Sequence, residues 1–460
     1  MADTTDAMLG RLRPSVLPDG ASRRVFAFQE QLGATQWLPR ASIEERQLDR
    51  LKSLVRFAAG QAPFWRERLA VETIESATGL EQALMALPIL SRADLRDHQS
   101  LMRAVTLPAG HRAAGERKSS GSTGMLVTVA ISDVALAMQH ALTFRAHLWA
   151  GRDFSRPLAV IRRMTSGQAG YPLGAKAPRW GSPMVYPIST GPSFSLNTLS
   201  ASIDEAWEWL SRVKPAYLVT YPSFLDALAK YAASGAAGSI PLESVTTIGE
   251  LVPDELRDLA AKHLAPLHDL YSSEEAGLMA IQCPSSTRYH VQSESVIVEV
   301  VNDAGIACRP GEMGRVLVTT LMNYAMPLIR YDIGDFALKG EDCDCGRFMP
   351  VLARILGRRR NMLILPDGRT FWPSFGVRMM QEIVPVTEHQ FRQIEPGVIE
   401  VWLVTPGEIS QAQEDRLRAI VAERLPAPLE VRIRRVGHIP RPASGKHEEF
   451  VSLIGSAMPG

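Results

Sequence analysis

The sequence is poor in lysine, poor in cysteine and without long apolar runs. Only 8 of its 50 basic side chains are lysine, and 49 acidic ones leave a net charge of +1. That balance excludes a nucleic-acid carrier, whose phosphate contacts need surplus basic charge. It equally excludes polybasic attachment to an anionic membrane. No stretch reaches the ~18 consecutive apolar residues of a membrane helix. The first twenty residues also lack the apolar core of a signal peptide, so the cytoplasm is expected. Four cysteines in 460 residues are too few for a disulfide scaffold.

What is present is ordinary globular material, with 46% hydrophobic and 22% charged residues, long enough for two to three domains. Residues 1–110 read as a mostly helical lead-in, with Ser91 to Asp94 resembling a capping box. Beyond 115, short apolar runs at 157–162, 216–220, 295–301, 314–321 and 327–331 read as strands. Helical patterns fit 134–149, 203–213, 223–233 and 253–263. The alternation predicts an α/β domain. A domain-sized second unit follows, with strands at 398–404 and 429–435 and a helix at 408–424. The expected boundaries are 1–356, a short polar hinge at 357–361, and 362–460.

Four segments carry chemistry. Lys118-Ser-Ser-Gly-Ser-Thr-Gly124 places two glycines and four hydroxyls where a tight loop can face an anion. A plain surface loop has the same composition. Tyr271-Ser-Ser-Glu-Glu275 follows an expected strand at 268–271. Its tyrosine can stack on a base and its carboxylate can hold Mg²⁺, but Ser and Glu also suit a helix N-terminus. Arg330-Tyr-Asp-Ile-Gly-Asp335 can present a carboxylate to a ribose, or form an exposed turn. Pro440-Arg-Pro-Ala-Ser-Gly-Lys446 holds the single lysine among fifteen arginines over residues 340–460. Lysine is a compact point charge where arginine is a planar fork.

The order and spacing of these segments resemble the adenylate-forming enzyme superfamily, and within it the phenylacetate–CoA ligase family. Leu87-Pro-Ile-Leu-Ser91, Tyr221-Pro-Ser223, Gly249-Glu250 and Asn323 to Asp335 add to the likeness, which spans residues 63–450. It implies a large N-terminal α/β domain of the acyl-adenylate-forming type and a small mobile α+β C-terminal lid. It also implies ATP-dependent conversion of a carboxylic acid to an acyl-adenylate, then a thioester with coenzyme A, with release of AMP and pyrophosphate.

On this resemblance Ser119, Ser120, Gly121, Ser122, Thr123 and Gly124 wrap the phosphates of ATP. Gly249, Glu250 and Tyr271 hold the adenine, and Ser272 lies within the same nucleotide-binding motif. Glu275 helps bind Mg²⁺, Asp335 holds the ribose, and Arg358 touches the nucleotide. Lys446 reaches the substrate carboxylate and the α-phosphate. Three departures stand out: Leu126 where proline is frequent, Glu274 where Ser or Thr is usual, and Arg360-Asn361 in place of an acidic hinge pair.

Cys283 and His290 form a C-x6-H pair, and Cys343-Asp-Cys345-Gly-Arg a C-x-C knuckle. Three thiolates and an imidazole make a closed set for structural zinc. Cys308 is the bystander. An aromatic or small cyclic acid is the expected substrate, from the resemblance. His147, Trp149, Tyr221 and Ser273 are candidates for its pocket, although Trp149 equally suits a helix core. Transfer to a carrier-protein thiol, an amine or a hydroxyl stays open, as does a non-catalytic nucleotide binder. The oligomeric state is also open, a homodimer among the options.

Overall fold

The computed structural model describes residues 20–118, 127–165, 167–181, 188–235, 238–358, 362–371, 380–440 and 448–454. It divides into two compact units, residues 1–333 with 337–355, and residues 334–336 with 356–460. The lead-in is helical, as expected: α1 (Gly20–Thr35), α2 (Arg40–Gln61), α3 (Val71–Ser76), α4 (Leu80–Met85), α5 (Arg92–Asp97) and α6 (Gln99–Met102). Ser91 caps α5 in a full capping box with Asp94, satisfying end N–H groups that the helix itself cannot.

A hairpin, β1 (Ala113–Lys118) with β2 (Thr128–Ser132), flanks the Ser/Gly segment and leads into α7 (Asp133–Trp149). Then come β3 (Leu158–Arg162), β4 (Ala175–Ala177), β5 (Ser193–Asn197), α8 (Ile203–Val213), β6 (Tyr217–Thr220), α9 (Pro222–Ala233), β7 (Ser244–Ile248), α10 (Asp254–His263) and β8 (Leu267–Ser273). Strands β5, β3, β6, β7 and β8 are neighbours in that order, each pair parallel. Parallel neighbours require crossovers, and helices α8, α9 and α10 supply them for β3–β6, β6–β7 and β7–β8. Buried Trp207, Trp209 and Leu210 of α8 pack with Leu225 and Leu228 of α9 and Leu256 of α10, covering this part of the sheet.

The sheet continues through β9 (Gly277–Gln282), β10 (Tyr289–Val291), β11 (Val296–Val301), β12 (Met313–Thr320), β13 (Tyr331–Lys339) and β14 (Val351–Arg358). Among the described residues it has twelve strands, in the order β11-β12-β13-β14-β10-β9-β8-β7-β6-β3-β5-β4. The second unit has β15 (Leu363–Ile364), β16 (Thr370–Phe371), β17 (Glu388–Glu395), β18 (Val398–Val404), α11 (Gln411–Ala422), β19 (Glu430–Arg435) and β20 (Phe450–Ser452). Its four-stranded sheet, ordered β19-β18-β17-β20, packs Phe391, Val401 and Ile433 against Leu417 and Val421 of α11.

The α/β expectation holds, with local corrections. Residues 327–330 are not a strand. Arg330 adopts φ 47°, and the pairing begins only at Tyr331 and runs on to Lys339. Gly334-Asp335 therefore lies inside a strand and not in an exposed turn. The Tyr271 motif does not open a helix: β8 continues to Ser273 and turns directly into β9. The helix expected at 408–424 is shorter at both ends: Ser410 caps its start through a box with Gln413, and it ends at Ala422.

Candidate active site and metal centre

Three of the predicted segments leave the carboxyl ends of adjacent parallel strands. Tyr221-Pro-Ser223 follows β6, Gly249-Glu250 follows β7, and Tyr271 lies near the end of β8. Ligands of open α/β sheets bind at such ends. Glu250 accepts from the backbone N–H of Ser223 at 3.0 Å, which ties the second segment to the first at the start of α9. Pro222 opens that helix and has no N–H to satisfy. Gly249 has φ 79°, a conformation that side-chain-bearing residues rarely adopt.

The turn from β8 to β9 sets Glu275. Ser273 Oγ accepts from Ala276 N at 3.0 Å. Gly277 has φ 75°, and a Cβ there would lie 2.4 Å from Gln139 Nε2 on α7. Glu275 is buried, and Arg92 at the start of α5 donates to its Oε1 at 3.1 Å and to Tyr331 Oη at 3.3 Å. Glu275 lines a pocket with Arg117, Gln139, Glu274, Thr320 and Asn323. Burial draws the Arg117 guanidinium below its ordinary value, and the charge of Glu274 acts in the opposite direction. The Glu274 departure thus shares its pocket with an arginine, a proximity that no local pattern announces.

Asp335 on β13 and Arg358 at the end of β14 stand 3.7 Å apart. The Ser119–Gly124 loop, Leu126, Arg360, Asn361 and Lys446 lie outside the described residues.

Of the residues expected to wall an acyl pocket, His147 and Trp149 join different core clusters. His147 is buried among Phe154 and Trp180, and its Nδ1 lies 2.9 Å from an Arg152 nitrogen. Burial, then Arg152, pushes its pKa well below the usual histidine value. Trp149 joins a different core cluster and donates to Gln36 at 3.0 Å. On one helix these two positions point away from each other, because residues i and i+2 do not share a face. Tyr221 is the N-cap residue of α9 and Ser273 closes the β8–β9 turn.

The Cys and His candidates do converge. Cys283 follows β9, His290 lies in its hairpin partner β10, and Cys343 and Cys345 sit in the loop before β14, which pairs with β10. Their ligand atoms all lie within 4.8 Å of one another. Cys283 Sγ is 3.7 Å from Cys343 Sγ, and Cys345 Sγ is 3.2 Å from His290 Nε2. Zn–S bonds of about 2.3 Å in a tetrahedron put sulfurs about 3.8 Å apart, so the donor set fits a zinc ion. Burial pushes the Cys345 thiol up to about 11. Burial acts the same way on Cys283, yet hydrogen bonds from His290, Ser285 and Ser286 bring it down to about 5. Next to the knuckle, buried Arg347 lies 4.5 Å from the rings of Trp37 and Trp149. Cys308 is buried elsewhere, its Sγ 3.6 Å from the Met313 carbonyl.

A buried network connects this centre to the Tyr271 strand. Asp269 accepts from Thr247 at 2.6 Å and from Tyr289 Oη at 2.7 Å, and burial lifts its pKa to about 6. Arg257 of α10 donates to Tyr289 Oη and to Gln282, at 3.1 and 2.8 Å. The partners are far apart in sequence, so only folding reveals the network.

No family model matches the chain. Among solved structures, 2-hydroxyisobutyryl-CoA ligase in the postadenylation state with 2-HIB-AMP aligns at a TM-score of 0.72 and 18% identity, over 96% of this chain and 95% of that one. An anthranilate CoA ligase in complex with anthranoyl-AMP aligns at 0.51 and 17%, over 79% of this chain and 72% of that one. The fold is that of the adenylate-forming enzymes.

In sequence, the chain is 25% identical to phenylacetate-coenzyme A ligase of Thermus thermophilus over 456 aligned residues, 90% of this chain and 98% of that protein. A 128-residue stretch is 29% identical to an uncharacterized acyl-CoA ligase of Bacillus subtilis. The chain is thus similar to a phenylacetate–CoA ligase over 90% of its length and shares the fold of acid–CoA ligases.

Proposed function

We propose that this protein uses ATP to convert a carboxylic acid to its acyl-adenylate and then passes the acyl group to coenzyme A. The observation that carries the reading is the convergence of Tyr221-Pro-Ser223, Gly249-Glu250 and Tyr271 at the ends of β6, β7 and β8, beside the Glu275 pocket. The near full-length likeness to a CoA ligase supports CoA as the acceptor over a carrier protein, an amine or a hydroxyl.

In this reading Gly249, Glu250 and Tyr271 hold the adenine, with Ser272 beside them, while Asp335 and Arg358 bind the ribose and the nucleotide. Ser119 to Gly124 cradle the phosphates. The attack joins two anions, a carboxylate and an α-phosphate, so cations must offset charge without acting as nucleophiles. Lys446 does this at the reacting atoms, and the remaining residues act by positioning. When bound, Mg²⁺ at Glu275 supplies charge neutralisation of the phosphate oxygens. The carboxylate oxygen bonds to phosphorus as pyrophosphate leaves, and the CoA sulfur then displaces AMP at the acyl carbon.

The acid is proposed to be aromatic or small and cyclic. Residues 1–356 are proposed as the adenylation domain, 357–361 as the hinge and 362–460 as the lid. No helix among the described residues is long and apolar enough to cross a membrane, and the cytoplasm is the compartment proposed. A panel of carboxylic acids in an ATP–pyrophosphate exchange assay tests the function.

Cys283, His290, Cys343 and Cys345 are proposed to hold one structural zinc, with no open coordination position. Protein purified without chelator is expected to carry about one zinc per chain, as a closed four-ligand set implies. Cys345→Ser loses the metal and lowers the melting temperature. Metal analysis that finds no zinc in the unmodified protein removes the site.

A further inference from the structure

The Leu87–Ser91 segment has no assigned role, yet the structure anchors it with care. Arg330, buried and bidentate to Glu299 at 2.9 to 3.2 Å, also donates to the Leu87 and Gly305 carbonyls at 3.0 and 2.9 Å. Leu90 bridges into the start of β13: its N–H donates to Arg330 O at 3.0 Å, and its carbonyl accepts from Asp332 N at 2.9 Å. Ser91 then caps α5. Arg92 is the next residue, so its backbone is fixed by a buried ion pair, a strand bridge and a helix cap together. Its guanidinium meets Glu275 Oε1 at 3.1 Å.

We propose that Arg92 is a positioning residue for the metal-binding carboxylate: it holds Glu275 by Oε1, keeps Oε2 for the metal, and weakens metal affinity by its own charge. This rests on the adenylation reading, which places the metal at Glu275. Among the described residues no donor reaches Oε2, and the side chains of Glu275 and Arg92 are 5% and 22% exposed. Solvent therefore screens the carboxylate poorly, and a fixed cation beside it acts strongly on a second one. Such an arrangement favours a metal that arrives already neutralised by phosphate oxygens. Free divalent metal meets the guanidinium uncompensated. Arg92 thus couples metal binding to nucleotide binding.

The test uses the full chain with Mn²⁺ as the probe, its binding followed by electron paramagnetic resonance with and without α,β-methylene-ATP. In the unmodified protein, Mn²⁺ is expected to bind with the nucleotide and poorly alone. Arg92→Met is expected to tighten nucleotide-free Mn²⁺ binding about tenfold, the Coulomb term at these separations being of that order. Its maximal exchange rate should fall at least about tenfold from loss of positioning. Arg92→Lys keeps the charge, so its Mn²⁺ affinity should stay near the unmodified value while its rate recovers in part. A purely structural Arg92 would lower thermal stability and rate in both variants without moving Mn²⁺ affinity, and that result overturns the inference. Equal tightening in Arg92→Lys also overturns it. Absence of exchange with every acid, alongside the charge-dependent Mn²⁺ shift, would sink the adenylation reading and leave the Arg92 assignment standing.

Discussion

Lys446→Ala is expected to lower acid-stimulated ATP–pyrophosphate exchange by about 10²–10³-fold, the usual cost of removing one charge-stabilising donor at a reacting centre. Thioester formation from supplied acyl-adenylate and CoA should stay within a few-fold of the unmodified enzyme. The reason is chemical. Adenylation brings two anions together and needs a cation between them, whereas thiol attack on a mixed anhydride expels a stable AMP anion. A chain that uses arginine almost everywhere places a lysine here, and a planar fork cannot replace a small mobile ammonium at two oxygens of different groups. Lys446→Arg should accordingly recover little. Exchange rates and thioester rates measured on the same preparation check this, and equal loss of both half-reactions contradicts the role.

Arg330→Ala is expected to cost about 3–5 kcal/mol of stability, since it leaves a buried carboxylate without its partner. The side chains of Arg330 and Glu299 are 4% and 9% exposed. Burial raises the Glu299 carboxyl above its usual range, and Arg330 pulls it the other way. Removing Arg330 leaves only the first effect. The variant also loses the two donors that fix Leu87 and Gly305. Combining Arg330→Met with Glu299→Leu should recover part of the loss, because apolar replacement of a whole buried pair is often neutral. Urea unfolding of the three proteins measures this. A loss below about 1 kcal/mol in the single variant, the range of exposed pairs, would mean the pair contributes no more than a surface ion pair.

Of the parallel strands, β3, β6 and β8 were legible as short apolar runs, whereas β5 and β7, SFSLN and SVTTI, carry too many hydroxyls to stand out. The helix α8, with Trp207 and Leu210 on its buried face, matches the expected 203–213 residue for residue. Segments whose backbone departs from local preference were not legible. Residues 327–330 have the composition of a strand, but Leu328 N–H turns to Thr320 Oγ1 and Arg330 takes a positive φ. The cysteine and histidine set was readable from the C-x-C spacing, and its four side chains do come together. Arg92, Arg117, Gln139 and the Asp269 network were not, because each gains its meaning from a residue brought close only by the fold. Aromatic residues on a buried helix fill cores more often than pockets, and His147 and Trp149 face two different cores.

The ends of β6, β7 and β8 and the Glu275 pocket are proposed to form an acyl-adenylate site. The most direct measurement is ATP–pyrophosphate exchange across a panel of carboxylic acids, followed by addition of CoA to the acid that stimulates it. Exchange is expected to depend on both the acid and a divalent metal, and CoA is then expected to yield a thioester with one AMP released per acyl group. Exchange with no acid in the panel, together with AMP transfer to a hydroxyl compound, would contradict the proposed site.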